Sequence, residues 1–150
     1  MSKILKVKSG GGVRQFRKEI VNKPCFAMFH MKGCGHCVAL RPKWDDMTRH
    51  FRGNNQFIFA EIDSNVSNDI TNLIGAPEIR GYPTLMIIKN GRKLKEYRGP
   101  RETNAMIRFA MQHLAQSGGY RRRSRKRRSR RRIKRTRRRR TYRRKTRKRK

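Results

Sequence analysis

Two cysteines two residues apart, in Cys34-Gly35-His36-Cys37, follow the apolar run Cys25-Phe26-Ala27-Met28-Phe29. They precede a helical pattern carrying Val38, Leu40, Trp44 and Met47. That order places Cys34 at a strand-to-helix junction. The first turn of a helix offers unpaired N–H groups and the positive end of the dipole, both of which favour a thiolate over a thiol. Cys34 is therefore the candidate nucleophile. Cys37, one turn further on, lies on the same helix face, within reach of a mixed disulfide formed at Cys34, and is the candidate resolving thiol. His36 adds an imidazole that, when protonated, stabilises a neighbouring thiolate. Gly35 keeps the turn free of a clashing side chain.

Other uses of paired cysteines fit less well. A zinc site needs about four ligands, and beyond this pair only Cys25, His30, His36 and His50 are near, with no second pair at metal spacing. Haem attachment requires His directly after the second cysteine, where this chain has Val38. Neither a metal nor a dissociable cofactor is expected.

Three motifs carry a resemblance. Cys34-Gly35-His36-Cys37, then Ala39-Leu40 and Pro42-x-Trp44, resembles the active site of protein disulfide isomerase domains, a branch of the thioredoxin superfamily. Arg80-Gly81-Tyr82-Pro83-Thr84-Leu85 resembles the cis-proline loop of that family. Tyr97-Arg98-Gly99-Pro100-Arg101-Glu102, followed by Ile107 and Phe109, resembles its last strand-to-helix turn. The resemblance implies a thioredoxin fold and dithiol chemistry on polypeptide substrates. It makes Pro83 a cis-proline facing the cysteine pair, and Tyr82 the residue whose backbone binds an extended substrate together with Gly35. Arg101 matches an arginine that lowers the pKa of the resolving thiol. One position departs from the pattern: the family's buried acid, six residues before the first cysteine, is Met28 here, and its lysine partner on the next strand is Glu61. Glu61 is thus the candidate proton relay, against the reading favoured here, in which the relay is lost.

Charge divides the chain. Of 43 Lys and Arg, 23 lie in residues 121–150, which hold no acid, leaving 20 against 9 acidic residues, or +11, for the first 120. We expect a thioredoxin-like domain over 1–118 and an Arg/Lys-rich tail over 119–150, linked by Ser117-Gly118-Gly119. Ile133, Tyr120 and Tyr142 are the only large apolar or aromatic residues of the tail, so no core is expected there. Arg121, Arg122, Arg123, Arg125, Lys126, Arg127, Arg128, Arg130, Arg131 and Arg132 head a run suited to nucleic acid or another polyanion, without a base-reading fold. Ser124 and Ser129 follow arginines and are candidate phosphate acceptors. Proteins of large DNA viruses are similar at the C-terminus, which makes a virion one setting for the chain. Met1 to Lys8 lacks the apolar stretch of a secretory signal, and no run approaches the eighteen or so apolar residues of a membrane span. Cytoplasm, nucleus or virion is the expected location. Oligomeric state is left open.

Residue patterns give the elements. Ile4, Leu5 and Val7 suit a short edge strand, which Gly10-Gly11-Gly12 should break before a helix over Val13 to Asn22. Cys25 to His30 reads as a strand buried on both faces, and the helix from Cys34 to Phe51 contains Pro42, which should kink it. Phe57 to Asp63 reads as a second strand with Phe57, Phe59, Glu61 and Asp63 on one face. Asn65 or Ser67 is the expected cap of a helix through Ile74, closed by Gly75. Strands Thr84 to Lys89 and Arg92 to Tyr97 flank Asn90-Gly91, a hairpin signal. Arg101 to Gln116 completes an α/β domain with a mixed sheet. The chain reads as a thiol–disulfide oxidoreductase with a sequence-nonspecific nucleic-acid-binding tail. The alternative is a non-enzymatic condensing or packaging protein with the folded domain as adaptor.

Overall fold

The computed structural model describes residues 3–114. The linker 117–119, the basic run 121–150 and the end of the last predicted helix lie outside the described residues. Strands β1 (Ile4–Val7), β2 (Cys25–His30), β3 (Ile58–Asp63), β4 (Thr84–Lys89) and β5 (Arg92–Tyr97) form one sheet in the order β1-β3-β2-β4-β5. β1, β3 and β2 run parallel, whereas β4 and β5 are antiparallel to their neighbours. Helices α1 (Gly10–Asn22), α2 (Gly35–His50), α3 (Ser67–Ile74) and α4 (Thr103–Leu114) cover its faces. This is the thioredoxin fold, a mixed sheet flanked by helices.

The central strands are apolar because both their faces are covered. Cys25, Ala27 and Phe29 of β2 join Ile58, Ala60 and Ile62 of β3 in a core with Phe16 and Ile20 of α1 and Ile70 and Ile74 of α3. Phe26 and Met28 turn to the other face, with Phe57, Phe59, Leu40, Trp44 and Met47, and with Met106 and Ala110 of α4. Trp44 is wholly buried there, its ring centroid 5.4 Å from Phe26 and 5.9 Å from Phe59. Its indole nitrogen has no hydrogen-bond partner among the described residues.

Several boundaries differ from the sequence reading. The three glycines do not break the chain: α1 begins at Gly10, and Val13 donates to the carbonyl of Ser9 at 3.0 Å. Packing of Phe16 and Ile20 outweighs the poor helix propensity of glycine. At Gly12, a Cβ would stand 3.3 Å from Cα of Val7, so a side chain there would press on β1. Neither Asn65 nor Ser67 caps the segment before α3; Asp63 does so, accepting from the Asn65 N–H at 3.0 Å at the head of a 3-10 turn, Ser64–Val66. Gly75 closes α3 in the left-handed region, φ 64°. α2 starts at Gly35 with Cys34 as its N-cap, and β3 starts at Ile58. α4 begins at Thr103, leaving Arg101 in the preceding loop. Asn90 (φ 53°) and Gly91 (φ 72°) make the β4–β5 turn.

Candidate active site

The parallel strands β2 and β3 and the start of β4 bring their chain ends to one edge of the sheet, and the site is built there. Cys34 ends the loop after β2. Its carbonyl accepts the first helical bond, from Val38 N–H at 3.1 Å, and its sulfur accepts from Cys37 N–H at 3.3 Å. The side chain thus caps α2 where serine or aspartate would elsewhere. Across the cleft, the Tyr82–Pro83 peptide bond is cis, and the Cys34 thiol donates to the Tyr82 carbonyl at 3.5 Å.

The two thiols differ. Cys34 is half-buried and Cys37 is 7% exposed. The Cys34 pKa lies below the ordinary thiol value, first because the Cys37 thiol donates to its sulfur, then through the N–H groups of Cys37 and His36 and the charge of Arg101. Desolvation opposes this and loses. Burial pushes the Cys37 pKa up, reinforced by its bond to Cys34 and that sulfur's charge. Such a pair splits the labour of exchange between a ready nucleophile and a reserve thiol. The support His36 gives to Cys34 comes from its backbone N–H, and its side chain is exposed. Gly35, at the first position of α2, is exposed, with open space where a Cβ would stand.

Arg101 Nη2 donates to the carbonyl of Pro83 at 3.0 Å, joining the two loops that face the cysteines. That loop is anchored: the Tyr97 hydroxyl donates to the Pro100 carbonyl at 2.5 Å, Lys43 pairs with Glu102 at 2.6 Å, and Thr103 Oγ1 donates to the Lys43 carbonyl at 3.4 Å. Gly99 permits the approach, because a Cβ there would meet the Tyr97 hydroxyl at 2.8 Å. Tyr82 is anchored as well. The hydroxyl of buried Ser67 donates to the Ser64 carbonyl at 2.9 Å and lies 3.0 Å from the Tyr82 hydroxyl, which donates to it.

Met28 is 1% exposed and paired in register with Glu61 of β3. Glu61 is buried too, and its carboxylate forms an ion pair with Arg41 of α2 at 2.8 Å. The sequence reading singled out Glu61 but missed Arg41 and Ser67. Arg41 carried a signal, standing four residues after Cys37 and hence on the same helix face. Cys25 is wholly buried within the core of the opposite face. Among the described residues no group of three or more His, Cys, Asp or Glu side chains is placed to hold a metal ion.

A thioredoxin family model matches residues 12–112. The chain belongs to the thioredoxin family. Over 83 residues it is 32% identical to a protein disulfide-isomerase of Hordeum vulgare, covering 54% of this chain and 16% of that protein. It is 28% identical over 87 residues to protein disulfide-isomerase 5-1 of Arabidopsis thaliana, covering 58% of each. Among solved structures, the J-Trx1 fragment of ERdj5 matches with a TM-score of 0.60 at 24% identity, over 75% of this chain and 52% of that one. A mutant thioredoxin from Halobacterium salinarum matches with a TM-score of 0.57 at 20% identity, over 76% and 95%. These structural likenesses carry the fold. The chain spans less than two thirds of the length of the two disulfide-isomerase relatives named here.

Proposed function

We propose that the chain is a thiol–disulfide oxidoreductase of the disulfide-isomerase type, exchanging dithiols and disulfides in polypeptides. The observation that carries this reading is the Cys34 sulfur, low in pKa at the head of α2 and 3.5 Å from the Tyr82 carbonyl. The Cys34 thiolate attacks one sulfur of a substrate disulfide, forming a mixed disulfide and releasing the other sulfur as a thiolate, which takes up a proton. Cys37 then loses its proton and attacks the Cys34 sulfur. The second substrate thiol leaves, the substrate is reduced by two electrons, and Cys34 and Cys37 become a disulfide. The reverse sequence oxidises a dithiol.

Pro83 and Arg101 shape the substrate side. With Tyr82 O and the Arg101–Pro83 contact on one wall, an extended polypeptide is held by its backbone, which suits substrates of varied sequence. Gly35 leaves room for that chain at the helix start. His36 is assigned a tuning role on the reduced form, and Glu61 is read as structural, with the family's proton relay lost at Met28. The basic residues from Arg121 onward are assigned to sequence-nonspecific nucleic-acid binding, with residues 1–118 as the catalytic domain. Among the described residues no helix is long and apolar enough to cross a membrane.

Turnover in insulin reduction or in refolding of scrambled ribonuclease tests the reading. Cys34→Ser should abolish it, and Cys37→Ser should accumulate the mixed disulfide. A wild-type chain without turnover in either assay, with its thiols intact, would instead favour the adaptor reading, to which the buried methionine at position 28 already leans.

A further inference from the structure

A groove of about 430 Å³ opens beside Cys37, on the face of the loop after β2 that Tyr82 does not occupy. The strand order explains its place. β4, which Tyr82 and Pro83 precede, lies on one side of β2, whereas β3 and β1 lie on the other. Lys8 follows β1 and Asp63 ends β3, and both line the groove. An extended chain joined to Cys34 and held on one flank by the Tyr82 carbonyl therefore runs, on its other flank, toward the groove.

The lining states what that flank should be. Met31, Val38 and Pro42 supply apolar surface, with Met31 43% and Val38 68% exposed. Lys8 and Lys32 are exposed at the groove and form no ion pair among the described residues. Of the nearby acids, Glu61 pairs with Arg41, and Asp63 accepts the Asn65 backbone N–H while keeping its charge. Burial and the Arg41 charge keep the lining imidazole of His30 below its usual pKa, against the pull of Asp63 and Glu61, so it is neutral at pH 7. The groove thus carries two ammonium groups without an ion pair among the described residues, against the single carboxylate of Asp63.

We infer that this groove binds the flank of the polypeptide substrate that leaves Cys34 away from Tyr82, and that it selects a flank carrying carboxylates beside an apolar side chain. The inference rests on the oxidoreductase reading and names its substrate class. Apolar contact supplies a seat and the two lysines supply the selection, since two partly exposed ion pairs together shift a rate by about tenfold.

The test uses the full chain and a set of peptide disulfides with a Leu-Glu-Glu segment on one flank, on the other, or replaced by Leu-Lys-Lys. Hydroxyethyl disulfide serves as the uncharged substrate. kcat/KM should favour acid on one flank over the other by about tenfold, and the preference should fade in high salt. Attraction by the basic run alone would favour both flanks equally and would overturn the inference. In Lys8→Glu/Lys32→Glu the flank preference should invert, whereas Lys18→Glu/Arg92→Glu, with the same change of net charge, should keep it. Equal behaviour of the two double variants overturns the inference as well. If the first double variant fails to fold, the wild-type flank comparison in low and high salt still decides. Absence of turnover on every peptide disulfide as well as on hydroxyethyl disulfide would overturn the oxidoreductase reading itself, whereas turnover without flank preference would overturn only the groove.

Discussion

The guanidinium of Arg41 holds the buried carboxylate of Glu61 at 2.8 Å, tying α2 to β3 beside Met28. Arg41 stands one helical turn beyond Cys37, so the pair braces the helix that carries both thiols. Glu61 is 7% exposed at its side chain and Arg41 39%, which places the pair between a surface contact and a buried one.

Removing one partner strands the other. Arg41→Ala should lower stability by about 1–3 kcal/mol, less than the about 3–5 of a fully buried pair because Arg41 keeps part of its hydration. Arg41→Met/Glu61→Gln should recover most of that loss, since no uncompensated charge remains. Thermal or denaturant unfolding of the single and double variants gives the coupling; additive losses would mean that the contact stabilises nothing.

The thiols should separate by pH. Alkylation needs the thiolate, so its rate rises with pH through each thiol's pKa. Cys34, below the ordinary value, should be labelled first under mildly acidic conditions; Cys37, raised by burial, should follow only in alkali. Cys25 is wholly buried and its pKa is raised further, so it should label only on unfolding. Mass spectrometry of the labelled chain reads the order, and early labelling of Cys37 would reverse the assigned roles.

Much of this was legible in the residues because local signals and tertiary packing agree. The apolar runs at Cys25 and Phe57 became the central strand and its parallel neighbour, and Asn90-Gly91 supplied the positive φ angles of the hairpin. Gly75 closed its helix for the same reason. Where they conflict, tertiary contacts prevail. The glycines at 10–12 read as a break, yet the helix starts among them, with Gly12 close against Val7. Arg41 and Glu61 lie twenty residues apart on different elements, and only the docking of α2 on β3 makes them a pair. Arg101 reads as the start of a helix, yet it lies in the loop before one, where it donates to the Pro83 carbonyl. The groove joins residues from four separate segments, a grouping that no single stretch of sequence announces.

Met28 should limit resolution of the mixed disulfide. Cys37 is shielded and raised in pKa, and on the proposed reading that the relay is lost at Met28 its proton leaves through water. A positioned acid or base contributes about 10² to 10⁴ in rate. Met28→Glu should therefore speed release of substrate from the trapped intermediate by about 10² or more, within that range. The new carboxylate would adjoin Glu61 in register, and Arg41 is the partner already engaged there, so Met28→Glu/Glu61→Lys is the better-balanced variant. Rapid-quench measurement of mixed-disulfide decay decides. An unchanged rate in Met28→Glu with a slowed one in Glu61→Gln would mean that the relay moved to β3 instead of vanishing.

Nucleic-acid binding should reside in residues 121–150. These hold 23 of the 43 basic residues and no acid, against +11 over the first 120. Each phosphate neutralised on duplex DNA contributes about −0.9 to the slope of log affinity against log salt. Ten contacts, well within what the run can supply, would give a slope near −9, with little dependence on sequence. A chain ending at residue 119 should lose this binding and keep its dithiol turnover, because both cysteines, Pro83 and Arg101 lie among residues 3–114 of the folded domain. Phosphorylation at Ser124 and Ser129 should lower the slope, since each phosphate removes about 1.5 to 2 charges from the run. Filter binding or anisotropy across a salt series measures all three effects. A slope near −2, or a truncated chain that binds as tightly as the whole, would place nucleic-acid contact on the folded domain and leave the basic run another purpose.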